Sequence, residues 1–175
     1  TTSLLAATIF WMVPVGPADS GEGPCQDLFS FTALGGPIAD KGQGLAIFQL
    51  FLPDSVGEIA SLELLIDGLS HARPGDLDLF LIAPDGAFIE LMTDRGGVVA
   101  VTGVDLFFAD SAAGVPSTPL LSGEYQPEGL FEGYDAGFAT FVGYSGGGMP
   151  WLLLAIDDAA GGTGSIGSFT LFGSI

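Results

Sequence analysis

The chain has 175 residues, 21 of them acidic and only 3 lysine or arginine, for a formal net charge of −18. No basic patch can form to neutralise phosphates, which excludes nucleic acid and disfavours anionic membrane surfaces as partners. Charged residues reach only 14%, against roughly 25% in ordinary globular domains, while hydrophobic ones make up 48%, so such scarce charge implies burial of surface by other subunits.

The length suits one domain with a core, or one domain and an appendage. The appendage is expected over residues 1–28. Residues 4–13, LLAATIFWMV, are apolar on both faces, too few for a bilayer span of about 20 residues. As a strand they must be buried on both sides, with Leu5, Ile9, Trp11 and Val13 in one row and Phe10 in the other. The prolines and glycines of PVGPADSGEGP, residues 14–24, make a linker. Cys25 stands alone and cannot form an intrachain disulfide. The start TTSLL lacks a preceding basic segment and reads as a mature N-terminus left by signal processing, so secretion is expected. With no asparagine in the chain, N-linked glycosylation is excluded.

From residue 29 to 175 short apolar runs alternate with turn signals: LAIFQLFL, ASLELLI, DLFLIA, AFIELM, VVAVTGVDLFF, WLLLAI and SFTLFG, punctuated by PDG, DRGG and AAGGTG. No run of helical period interrupts them. The expected fold is all-β, a jelly-roll sandwich. In WLLLAI both faces are apolar, which places that strand centrally or between layers.

The stretch HARPGDLDLFLIAPDG, residues 71–86, holds the one histidine. Asp76 and Asp78, two apart, are expected on one face of a strand about 7 Å from each other. Phe80 and Ile82 continue that face, and Leu77, Leu79 and Leu81 form the other. Two like charges so placed either face water or share a cation.

His71, Gly75, Asp76 and Leu77 reproduce the His-x-x-x-Gly-Asp-Leu signature of the P-domain, or Homo B domain, a β-sandwich that follows the catalytic domain in proprotein convertases and many bacterial subtilisin-like proteases. PIAD at 37–40, APDG at 83–86, FFADSA at 107–112, GEYQPEGLF at 123–131 and WLLLAIDDAAGGTGSIGSFTL at 151–171 follow in the family's order. The resemblance covers about residues 37–173. It departs at Ala83, where the family has serine, and at Phe169, where tryptophan is common; a lengthened GFATFVGYSGGGMP precedes Trp151.

The resemblance implies calcium in acidic loops, with Asp76, Asp78, Asp110 and Asp157 as ligands; calcium takes six to eight oxygens, which aspartates from separate loops could supply. It also places His71 in a structural motif. An enzyme is not expected, because acyl transfer needs a nucleophile, a base and an orienting acid, and the lone histidine is assigned elsewhere. The expected function is a secreted structural subunit of a homopolymer, an extracellular filament built by donating the N-terminal strand (Leu5, Ile9, Phe10, Trp11, Val13) to an identical subunit. The alternatives are an accessory domain of a secreted subtilisin-like protease, or a carbohydrate-binding jelly roll using Tyr125, Tyr134 and Tyr144.

Overall fold

The structure, a computed structural model, describes residues 26–41, 45–145 and 147–175. The expected assembly strand, with Leu5, Ile9, Phe10, Trp11 and Val13, lies outside the described residues, as does Cys25. The strands are β1 (Leu28–Ile38), β2 (Ala46–Leu50), β3 (Ser61–His71), β4 (Leu77–Ile82), β5 (Phe88–Met92), β6 (Val101–Phe108), β7 (Gly123–Tyr125), β8 (Trp151–Asp157) and β9 (Gly164–Ser174). One short helix, α1 (Glu128–Glu132), and two 3-10 turns, Pro74–Asp76 and Gly137–Phe141, complete the described elements. None is a helix long and apolar enough to cross a membrane.

The strands form an all-β sandwich. One sheet has the order β1-β9-β3-β6-β7 and the other β2-β8-β4-β5. Neighbours are antiparallel except β6 and β7. The period of two in the sequence becomes the two faces of each sheet. Leu77, Leu79 and Leu81 of β4 and Trp151, Leu153 and Ala155 of β8 point inward and are buried. They meet Leu62, Leu64 and Ile66 of β3, Phe169 and Leu171 of β9, and Leu106 and Phe108 of β6, all of one hydrophobic core. Trp151 closes one end, with its ring 4.9 Å from that of Phe141 in an edge-on arrangement.

β8 is central in its sheet, as its two apolar faces require, between β2 and β4. β1 lies outside the apolar runs picked out in the sequence and pairs with β9 from Leu28↔Ser174 to Ile38↔Gly164. As an edge strand it needs no ladder partner on its outer side, so Pro37 is tolerated there. Asp76 does not share a strand face with Asp78. It ends the 3-10 turn, and β4 begins only at Leu77.

Candidate functional site

The stretch from His71 to Leu77 carries the chain from one sheet to the other, since β3 lies in the five-stranded sheet and β4 in the four-stranded one. Pro74 presets the turn at its first helical position. Gly75 donates its N–H to the Gly97 carbonyl at 2.7 Å. A Cβ on Gly75 would stand only 3.0–3.1 Å from the Gly97 backbone, so the close approach of these two segments favours glycine.

His71 is locked in this corner. Its Nδ1 accepts the Arg73 N–H at 3.2 Å, which places the proton of a neutral ring on Nε2. Nε2 lies 3.2 Å from Oδ2 of Asp157 on β8, and both side chains are fully buried. The two atoms meet within ion-pair distance but are poorly aligned for a hydrogen bond. The other Asp157 oxygen accepts the Ala159 N–H. Asp76 lies 3.4 Å from Arg73 Nε through its carboxylate, and its carbonyl accepts the Asp158 N–H at 3.0 Å.

Asp78 stands on the outer face of β4, opposite Ile156 of β8. Burial, then the charges of Asp158 and Asp94, and more weakly Glu90, push its pKa from 3.8 to about 6; a backbone hydrogen bond at Asp94 offsets part of the rise. Asp110 has a different task. Its carboxylate accepts the N–H groups of Phe138 and Ala139, at 2.8 and 3.0 Å, and caps the 3-10 turn Gly137–Phe141.

The four aspartates expected to hold calcium are therefore not gathered into one ligand set. Asp157 is engaged with His71, Asp76 with Arg73, and Asp110 with backbone amides, leaving Asp78 apart on the outer face. Among the described residues no three His, Cys, Asp or Glu side chains form a group that could hold a metal ion. These residues do not fit a common calcium ion.

Sequence reasoning missed a second charged cluster. Arg95 forms an ion pair with Glu128, which is buried, and reaches Glu132 at 3.2 Å. The second oxygen of Glu128 accepts the Thr93 N–H at 2.7 Å, so the cluster pins α1 to the end of β5. Arg95 directly after an aspartate, ahead of a Glu-rich segment, was the only signal. The three tyrosines are dispersed in their roles: Tyr125 donates to the Leu121 carbonyl, Tyr144 donates to Asp85 at 2.6 Å, and Tyr134 lies beside Glu90. The Tyr144 hydroxyl and then the Ala87 N–H hold the Asp85 carboxyl below its usual range. A concavity lined by Leu28, Phe29, Phe107 and Phe172 contains a single titratable side chain, Glu63.

No protein-family profile and no curated protein matches the chain. Solved structures similar to it include two from Aeromonas sobria. The crystal structure of the serine protease of Aeromonas sobria matches at 12% identity and a TM-score of 0.48, over 87% of this chain and 28% of that one. The crystal structure of the Aeromonas sobria serine protease and chaperone complex matches at 16% identity and a TM-score of 0.43, over 88% and 28%. The chain thus spans little more than a quarter of the chains it resembles.

Proposed function

We propose that this chain is a secreted, non-catalytic β-sandwich module of the P-domain type, which stabilises a subtilisin-like catalytic domain. The observation that carries the reading is the corner at His71. The residues of the signature, His71, Gly75, Asp76 and Leu77, are those that join the two sheets, and His71 is sealed between Arg73 and Asp157 with no exposed atom to offer a substrate. A histidine so enclosed fixes architecture rather than moving protons to a bound molecule.

The test pairs the purified chain with a secreted subtilisin-like catalytic domain. The chain should hydrolyse no peptide nitroanilide by itself, and its presence should raise the melting midpoint and refolding yield of the catalytic domain. Hydrolysis that disappears in a folded His71→Ala variant would overturn the non-catalytic reading, and a catalytic domain indifferent to the chain would overturn the accessory role.

A second reading, self-assembly into a filament by strand donation, draws support from β1. Its eleven residues, LFSFTALGGPI, include no charge and occupy a sheet edge, where proteins ordinarily place lysine or another device against strand addition. Negative-stain microscopy of the full chain and N-terminal sequencing of exported protein decide it. Filaments that vanish when residues 1–15 are deleted support it; exported protein that begins beyond Val13 ends it, because the donor strand would be gone.

A further inference from the structure

We infer that the outer face of the four-stranded sheet is a self-association surface, on which a second copy of this chain packs face to face. The register fixes which residues share that face. Ile47, Leu154 and Phe80 form one cross-strand row that ends at Glu90 on the edge strand β5, and Leu152, Ile82 and Phe88 form another beside Gln49, with Ile156 adjoining. Each is an apolar side chain on the side of the sheet away from the core. None is fully covered: Ile47 is 50% exposed and Phe88 58%, and the others are half-buried. Leu45 and Phe51, flanking β2, are exposed as well. The charged residues of the face, Asp78 and Glu90, sit at its margin.

An outer face of an antiparallel sheet that meets water ordinarily alternates to polar residues. Here β4 and β8 carry leucine, isoleucine and phenylalanine on both sides, so the sequence provides for a second apolar layer. Four strands of five, seven, six and five residues, about 4.8 Å apart, cover roughly 360 Å² in flat projection. With the relief of the side chains and the flanking Leu45 and Phe51, two such faces bring together about 800–900 Å², approaching the roughly 1,000 Å² of a specific interface.

Charge selects the occupant. A central apolar face without charge of its own has nothing to pair with a charged partner surface, and burying an unpaired charge is costly. The matching surface, apolar at its centre and sheet-shaped, is present on every copy of the chain. Two sheets packed this way sit about 10 Å apart with strands within about 30° of each other, and the contact is isologous, closing as a dimer rather than extending.

Sedimentation velocity of the full chain in 150 mM salt tests this. At 50 µM it should sediment as a dimer of the 17.8 kDa chain. An Ile47→Lys, Phe88→Lys double variant, changed at two exposed positions, should melt as cooperatively as the parent yet dissociate at least 100-fold more readily. A Leu28→Lys, Leu34→Lys variant, altered on exposed residues of β1 in the other sheet, should remain dimeric. A parent that is monomeric at 50 µM overturns the inference, whether the face is then covered by the chain's own residues 4–13 or kept for a different protein. A double variant that dimerises like the parent, or loss of the dimer in the β1 variant instead, overturns it equally.

Discussion

Asp78 is a carboxylate whose environment works against its charge. It shares the outer face of β4 with Phe80 and Ile82, and the charges of Asp158, Asp94 and Glu90 add to its desolvation. The folded chain keeps this proton up to about pH 6, whereas the unfolded chain loses it near 3.8. Between those values the folded state binds more protons, so stability from Asp78 is fully present below about pH 4 and is lost as pH rises through about 6. The residue is only half-buried, and after a discount for solvent screening the loss is on the order of 1 kcal/mol. Asp78→Asn should therefore raise the melting midpoint at pH 7 by about 2–4 °C, with the gain closing at pH 4. Scanning calorimetry across this range checks it, and a gain independent of pH would contradict the cause given. A neighbouring position shows the same dependence on face. Leu154, on the outer side of β8, is half-buried, while Leu153 next to it is fully buried; the sequence pattern, apolar at both, could separate the two faces but not say which one met the core.

At the scale of elements, the corner between β3 and β4 depends on β9 as much as on its own residues. A Cβ on Gly164 would overlap His71 Cδ2 and the Ser70 carbonyl, so Gly164→Ala should cost about 1–3 kcal/mol by overpacking. His71→Ala should cost more, about 3–5 kcal/mol, because it leaves the Asp157 carboxylate buried opposite nothing. The two changes act on one contact. In urea titrations Gly164→Ala should cost at least 0.5 kcal/mol less in the His71→Ala background, and strict additivity would show that Gly164 and His71 do not press on each other. The strands of this corner were legible in advance because β4 and β8 are short apolar runs bounded by turn residues. The part that mattered for the site was not. Local spacing placed Asp76 and Asp78 on one face, but the turn set by Pro74 delays the strand by a residue. The partners that claim the other aspartates come from far along the chain: Asp157 meets His71, and Asp110 meets the amides of Phe138 and Ala139. A list of carboxylates cannot show that each already has an occupation.

For the whole molecule the governing quantity is the net charge of −18. Two of its three basic residues are already committed, Arg73 beside Asp76 and Arg95 between Glu128 and Glu132, while Lys41 is exposed and makes no salt bridge among the described residues. The surplus of acids then repels itself in the compact state more than in the expanded one. Ions shorten the reach of that repulsion from about 30 Å at 0.01 M to about 10 Å at 0.1 M. The melting midpoint should accordingly rise by several degrees between 10 and 150 mM sodium chloride, the reverse of what a fold held by surface ion pairs would show. Measuring this on the Ile47→Lys, Phe88→Lys variant separates screening within one chain from any gain through association. Calcium and magnesium chlorides at matched ionic strength should act alike, because Asp76, Asp110 and Asp157 are each spoken for within the fold. An increment specific to calcium would mean that carboxylates move together to bind it; a midpoint that falls with added salt would mean that the few ion pairs outweigh the repulsion among all the remaining acids.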